Sequence, residues 1–311
     1  MKIYQSISDF FCNKKTIITI GTFDGVHIGH KKILEKIIQN SIQNKFESIV
    51  LTFFPHPRIV LQTGLDMKQL NTIDEKVGLI RNIGVDNLVI HPFDKVFSQL
   101  TAEDFVKQVL VDTFNIQKIV IGYDHRFGKN RTADINDLIA FGNQYNFEVE
   151  QISAEELNEV AVSSTKIRSA LTEGNIKLAN SFLGYNYTIT GKVVQGKQLG
   201  RTIGFPTANI YVEEDYKLIP NSGVYVVECK IDNQFYFGMM NIGTNPTIEN
   251  TDLNQKIEVN IFNFDTEIYD KSITVSFLKR IRSEQKFDSL ESLKAQIAMD
   301  KMESLQFIKK L

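Results

Sequence analysis

Two histidines three residues apart, set among glycines, are the first residues whose types and spacing could do chemistry. They close the run Gly21-Thr22-Phe23-Asp24-Gly25-Val26-His27-Ile28-Gly29-His30. The run follows a short apolar segment, Ile17-Ile18-Thr19-Ile20, and precedes apolar residues at helical spacing, Ile33, Leu34, Ile37 and Ile38. Glycines at 21, 25 and 29 let the backbone turn tightly and approach a ligand closely. A helix N-terminus offers unpaired N–H groups and a partial positive charge, a natural setting for phosphate. His27 and His30 can both face one side of that helix start. Each can donate a hydrogen bond to a phosphate oxygen and stabilise charge developing at phosphorus without a covalent step. A zinc site fits poorly, because no cysteine or acidic third ligand follows at useful spacing. A glycine-rich turn from strand to helix is also common as plain structure.

Three further segments carry reactive types. Val162-Ser163-Ser164-Thr165-Lys166-Ile167-Arg168 puts three hydroxyl residues in a row, each a good helix N-cap, with two cations behind them. Helix start plus cation makes a second clamp for a triphosphate. Between Gly191 and Asn209, Gly196, Gly200 and Gly204 permit a curled backbone that can surround phosphates, although Gly-Lys-Ser/Thr is absent and the loop is no Walker A. Thr207 and Asn209 offer hard oxygen donors suited to Mg²⁺ that shares its shell with ATP phosphates. In Ile257-Glu258-Val259-Asn260-Ile261 the apolar residues share one face of a strand, so Glu258 points to the other. Spacing alone fits a solvated glutamate equally well.

The elements that must position these residues alternate in the first half. Strand patterns at 17–20, 48–54, 87–91, 118–122 and 147–152 are interleaved with helical patterns at 29–46, 73–83, 102–114 and 134–145, and a last helical region spans 163–181. Such alternation predicts βαβ units and an α/β, doubly wound parallel sheet. Near Leu183-Gly184-Tyr185 the grammar changes. Strand patterns at 187–194, 223–231, 235–240, 256–264 and 272–278 follow with turn residues between them, predicting a small antiparallel β-barrel. Residues 288–311 return to helix, with Leu290, Leu293, Ile297, Leu305 and Ile308 on one stripe. The boundary is placed at 184, giving domains of 1–184 and 185–311.

Composition narrows the function classes. The 311 residues carry 35 Lys+Arg against 37 Asp+Glu, a net charge of −2, so a global pull on nucleic acid is not expected. Positive charge for anionic substrates must be local, at Lys166, Arg168, Arg126, Lys197 and Arg201. No apolar run approaches the length of a membrane span, and no membrane partner is expected. Two cysteines, Cys12 and Cys229, make no disulfide framework and fit a reducing, cytoplasmic setting.

Taken whole, the ten-residue histidine string resembles the His-x-Gly-His motif of nucleotidyltransferases in the form found in prokaryotic FAD synthetases. Residues 162–168 resemble that family's second signature, Leu51-Thr52-Phe53-Phe54-Pro55-His56-Pro57 its Thr-Phe-x-Pro-His-Pro segment, and Gly122-Tyr123-Asp124-His125-Arg126-Phe127-Gly128 its flavin-side segment, with His125 where Phe is common. His56 reads as a surface or loop histidine. Gly204-Phe205-Pro206-Thr207-Ala208-Asn209 and the loop before it are similar to the riboflavin kinase signature. Asn241-Ile242-Gly243-Thr244-Asn245-Pro246-Thr247 and the segment 277–287 also resemble that family, with Asn245 where Arg is frequent.

The resemblance covers nearly the whole chain and is that of a bacterial bifunctional riboflavin kinase/FAD synthetase. It implies a Rossmann-like nucleotidyltransferase domain followed by a kinase barrel, with ATP and Mg²⁺ used at both and riboflavin, FMN and FAD as substrates and products. It implies catalytic roles for His27, His30, Arg168 and Glu258, the last accepting the proton of the riboflavin 5′-hydroxyl. ATP contacts fall on Gly21, Thr22, Phe23, Asp24, Gly25, Ser163, Ser164, Thr165, Gly196, Gly200 and Gly204. Flavin contacts fall on Asp124 and Arg282, and the metal on Thr207 and Asn209. The alternatives are a chain with one live site, a non-catalytic flavin-binding or sensing protein, or a different nucleotidyltransferase, which would leave the kinase-like half unexplained.

Overall fold

The computed structural model describes residues 1–62, 64, 66–157, 162–196, 199–244 and 255–311. Lys197 and the Asn245-Pro246-Thr247 string lie outside the described residues. The chain divides into two compact units, Met1–Ser164 and Thr165–Leu311.

The first unit is built on a parallel sheet of six strands: β1 (Lys2–Tyr4), β2 (Thr16–Ile20), β3 (Glu47–Phe54), β4 (Asn87–Pro92), β5 (Ile116–Gly122) and β6 (Glu148–Ile152), in the order β1-β4-β3-β2-β5-β6. Strand alternation feeds two cores. Ile18, Ile20, Ile49, Leu51 and Ile119 pack with Phe105, Leu110 and Phe114 on one face. Ile17, Val50, Leu88 and Val120 pack with Leu34, Ile37 and Ile80 on the other. Both faces are covered, which is why these strands read as near-continuous apolar runs.

Helix α1 (Ile28–Asn44) follows β2, and the short α2 (Pro57–Leu61) and α3 (Ile73–Ile83) lie between β3 and β4. The α3 bounds are set chemically. Thr72 and Glu75 form a reciprocal capping box, and Gly84 ends the helix at φ 101°. Helix α4 (Ala102–Asp104) runs into a π-helix over Phe105–Thr113 instead of the α-helix anticipated for 102–114. The buried side chains fall at 105/106, 109/110 and 114, a repeat of four to five residues, wider than the 3.6 of an α-helix. A wider turn keeps all of them on the sheet. Helices α5 (Ile135–Tyr145) and α6 (Ala154–Leu157) complete the unit around β6. On β6, Glu150 meets Lys118 at 2.7 Å and Lys36 at 2.8 Å, and Glu148 lies 3.6 Å from Lys118.

The anticipated helical region at 163–181 is two helices, α7 (Ser164–Thr172) and α8 (Ile176–Leu183), separated by a turn in which Gly174 has φ 77°. In the second unit these helices are fastened to the strands that follow. Leu171 O accepts from Asn221 N at 3.1 Å. The Asn180 amide accepts from Tyr187 N at 2.8 Å and donates to Phe277 O at 2.9 Å.

The strands β7 (Thr188–Val194), β8 (Ala208–Tyr211), β9 (Gly223–Ile231), β10 (Gln234–Thr244), β11 (Gln255–Ile261) and β12 (Ser272–Arg282) close a barrel in the order β10-β11-β8-β7-β12-β9. The pairs along it are antiparallel. Its interior holds Val193, Tyr225, Val227, Met240, Val259, Val275 and Phe277. Strand β8 carried no sequence signal, because its four residues are too short for a period. The one-turn α9 (Leu199–Thr202) sits before it, and α10 (Leu290–Ile308) ends the chain. The apolar stripe proposed for α10 holds in part: Leu293, Ile297 and Ile308 are half-buried. Leu290 is 59% exposed and Leu305 37%, whereas Asp300 and Ser304 are buried. A bidentate pair between Arg282 and Asp300, at 2.9 and 2.7 Å, ties this helix to β12.

Candidate active sites

The chain order of the parallel sheet reverses beside β2, where β3 lies on one side and β5 on the other. The crevice at the carboxyl ends of such strands is where ligands bind in open α/β sheets, and Gly21 to His30 emerges there. Gly21 N donates to Leu51 O at 3.1 Å, and the Thr52 hydroxyl to Thr22 O at 3.3 Å. The backbone then enters the left-handed region at Phe23 (φ 48°), Gly25 (φ 86°) and Val26 (φ 37°). A β-branched residue at positive φ is strained, and such strain persists only where its surroundings over-determine it. Here Phe23 and Val26 are both buried. Asp24, 1% exposed, accepts from Leu70 N at 2.8 Å through its carboxylate. Its carbonyl accepts from the Ser164 hydroxyl at 2.8 Å. That bond holds Ser164 against the glycine-rich turn.

His27 is the N-cap of α1. Its Nδ1 accepts from His30 N at 3.3 Å, so the proton of the neutral ring sits on Nε2 by this assignment. The His27 and His30 rings stack with centroids 3.6 Å apart, and the Phe23 ring stands edge-on to His30 at 5.2 Å. Burial pushes the His27 pKa down to about 4. His30 is held well below the ordinary imidazole value by burial, and then by the charges of His27 and Lys76. Both rings are therefore neutral donors near pH 7, presented at a helix end with no acidic residue in its first turn.

A stability prediction follows from His27. The unfolded chain protonates this residue near pH 6.5, the folded chain only near pH 4. Between these values the unfolded state binds more protons, so stability is full above pH 6.5 and falls on acidification towards pH 4. The expected loss at pH 4 is on the order of 3 kcal/mol from this residue. Urea unfolding at several pH values should show a shallower acid slope in His27→Gln than in the native chain. Equal slopes would refute the assignment.

Ser163 precedes α7, Ser164 opens it, and Thr165, Lys166 and Arg168 lie on its first turns, where Arg168 Nη2 reaches the Thr165 hydroxyl at 3.4 Å. Asp124 is exposed in the turn after β5. Next to it, His125 stacks on Phe127 at 6.0 Å, and burial takes its pKa down to about 4. His56, read as a surface or loop histidine, does sit in the loop before α2 but is buried there, and its Nδ1 caps α2 by accepting from Arg58 N at 3.1 Å.

One residue of this region carried no sequence signal. Lys76, on the first turns of α3, is 2% exposed. In sequence it is an ordinary lysine on an amphipathic helix; only the fold shows it buried. Burial lowers its pKa, against the opposing charge of Asp24.

In the second unit, register assembles the other site. On β11, Glu258 pairs directly with Asn209 of β8 and, on its other side, with Asn241 of β10. Residues directly opposite on paired strands share a face with their side chains adjacent. The candidate base and a candidate metal ligand are thus neighbours. Lys256 Nζ meets Glu258 Oε1 at 3.2 Å, a partner the sequence reading missed. The glycine loop is folded onto the same place. A Cβ at Gly196 would overlap the Asn209 amide, and one at Gly200 would strike Phe205 O and come within 3.3 Å of the Thr207 hydroxyl. Gly204 turns at φ 84°. Asn260 Nδ2 donates to Pro206 O at 2.7 Å, fixing the Thr207 approach to β11.

Thr207 and Asn209 supply hydroxyl and amide oxygens of the kind Mg²⁺ takes. Among the described residues no group of three or more His, Cys, Asp and Glu side chains could hold a metal by itself. Arg282 is engaged by Asp300 beside an open groove of about 650 Å³ between β12 and α10, also lined by Lys279, Met299 and Phe307.

Residues 10–166 match the FAD synthetase family, and residues 183–308 match the riboflavin kinase family. The chain belongs to the riboflavin kinase/FAD synthetase family. Its relatives include the bifunctional riboflavin kinase/FMN adenylyltransferase of Buchnera aphidicola subsp. Acyrthosiphon pisum, 38% identical over 302 residues and covering 96% of each chain. The enzyme of the same name from Bacillus subtilis is 36% identical over 96% of this chain and 94% of its own. That from Escherichia coli K12 is 36% identical over 94% and 92%. Among solved structures, one named as a macrolide-efflux protein from Streptococcus pneumoniae superposes with a TM-score of 0.87 at 32% identity, over 96% of this chain and 97% of that one. Among the described residues of this riboflavin kinase/FAD synthetase family member, no helix is long and apolar enough to cross a membrane.

Proposed function

We infer that this chain makes flavin cofactors in two steps, phosphorylating riboflavin with ATP to give FMN and ADP, then transferring AMP from ATP to FMN to give FAD and pyrophosphate. The observation that carries this reading is the presence of both family halves, in series, in one chain matched over nearly its whole length by bifunctional relatives.

In the kinase step Glu258 takes the proton of the riboflavin 5′-hydroxyl as that oxygen bonds to the γ-phosphorus and the bond to ADP breaks. Thr207 and Asn209 would hold Mg²⁺, which neutralises phosphate charge when bound. Gly196, Gly200 and Gly204 let the loop lie against the nucleotide. In the adenylyl step a phosphate oxygen of FMN bonds to the α-phosphorus and the bond to pyrophosphate breaks. His27 and His30 donate to the phosphate oxygens as charge develops, and Gly21 to Gly25 line the nucleotide. Ser163, Ser164, Thr165 and Arg168 hold the departing pyrophosphate, and Asp124 and Arg282 face flavin in their respective domains. We place the division of labour at about residue 184. ATP, riboflavin and FMN are the small-molecule partners; nucleic acid and membrane are not, and the two unpaired cysteines fit the cytoplasm.

The test is chromatographic separation of flavins after incubation with Mg-ATP and either riboflavin or FMN. FMN then FAD from the first tube, and FAD from the second, are expected. FMN without FAD in either tube would leave a kinase alone, and no conversion by folded protein would favour a flavin-binding role.

A further inference from the structure

Lys76 is a cation the reactions above do not use, and its placement is costly. The side chain is 2% exposed, and burial lowers its pKa. Taking a charge out of water is expensive. The charges and dipoles around it are as follows. Lys76 sits one turn into α3, at the positive end of that helix. The N-terminus of α1 carries no acidic residue in its first turn. The charge of Asp24 acts on Lys76, and the same carboxylate accepts from Leu70 N. Asp74 and Glu75 lie on the same turn, and Glu75 Oε2 accepts from Thr72 N in the capping box. The neighbouring imidazole, His30, feels the lysine charge, and its Nδ1 is buried with no hydrogen-bond partner.

We propose that Lys76 is a polyphosphate-binding residue of the adenylyl-transfer site, its ammonium completed by an oxygen of the ATP triphosphate or the pyrophosphate product beside His30. The assignment rests on the adenylyl-transfer reading of this site and adds to it a cation from a different helix. A bound polyphosphate supplies negative charge to Lys76. Burial holds the free protein in a costly state that the ligand relieves, so removing the charge should separate stability from affinity.

In the full-length chain, Lys76→Met should raise KM for ATP in FAD formation from FMN, and Ki for pyrophosphate in the same assay, by about tenfold or more. A buried charge-assisted contact to phosphate has at least that weight. The midpoint of thermal unfolding without ligand should rise or stay level, and the upward shift given by pyrophosphate should shrink. A merely structural lysine would show the reverse, a lower midpoint with unchanged KM and Ki, and that result would overturn the assignment. If the variant does not fold, a crystal of the native chain with Mg²⁺ and pyrophosphate decides. A phosphate oxygen at hydrogen-bond distance from Lys76 Nζ supports the proposal, and none there overturns it. Failure of the native chain to make FAD from FMN would remove the adenylyl-transfer reading itself, a different outcome from unchanged constants in Lys76→Met.

Discussion

Replacing Glu258 by glutamine is expected to slow FMN formation from riboflavin by roughly 10²–10⁴-fold, the usual contribution of a general base, while FAD formation from supplied FMN continues. Glutamine keeps the length and one oxygen of glutamate, so the pairing of β11 with β8 and β10 is undisturbed. What disappears is the only group in the Asn209–Glu258–Asn241 row that can accept a proton as the hydroxyl attacks. The substitution also leaves Lys256 without its ion pair, but that lysine is well exposed, and exposed pairs contribute little to stability. A fall in turnover can therefore be read as chemistry. Rates measured under saturating riboflavin and Mg-ATP provide the check, and unchanged turnover would remove Glu258 from the mechanism.

The second large effect is expected at His30. His30→Ala should lower adenylyl transfer to FMN by roughly 10²–10³-fold, the magnitude seen when one donor to a developing anion is deleted, with riboflavin phosphorylation maintained. The alanine also empties the space between the His27 ring and the Phe23 edge, so part of the loss could come from His27 shifting on its cap. His30→Gln separates the two, since an amide fills that space and can still donate. Recovery of a substantial part of the rate in His30→Gln would assign the function to hydrogen-bond donation. Equal loss of both activities in His30→Ala would point to misfolding or to dependence of one site on the other.

Most of the architecture was legible because it rests on periodicity. The parallel strands are apolar on both faces, and the α3 boundaries are written in Thr72, Glu75 and Gly84. What escaped was set by geometry that no local pattern carries. The π-helical turn over Phe105–Thr113 answers to the spacing of the sheet beneath it, and β8 is too short to show a period. The α10 stripe misled in part because the helix turns Asp300 and Ser304 inward, where Asp300 pairs with Arg282. Candidate site residues were legible where they cluster in sequence, as at 21–30 and 162–168. Residues brought in by tertiary contact were not. Lys256 reaches Glu258 across one strand position, and Lys76 enters the His30 environment from a helix more than forty residues away. The burial of His56 was missed for the same reason, since an exposed loop histidine and a buried cap look alike in one dimension.

The Glu148, Glu150 and Lys118 network has a consequence beyond holding β6 to its neighbours. β6 is the outermost strand on its side of the sheet, and an outermost strand offers a row of unsatisfied backbone groups that a second chain can extend. Glu148 projects into water, and Lys118 and Lys36 converge on Glu150. Any chain adding itself there would have to strip hydration from several charges at once. The opposite border is guarded by brevity, since β1 has only three residues, and the barrel, being closed, has no border to guard. The charges on β6 thus oppose edge-to-edge strand pairing by a second copy.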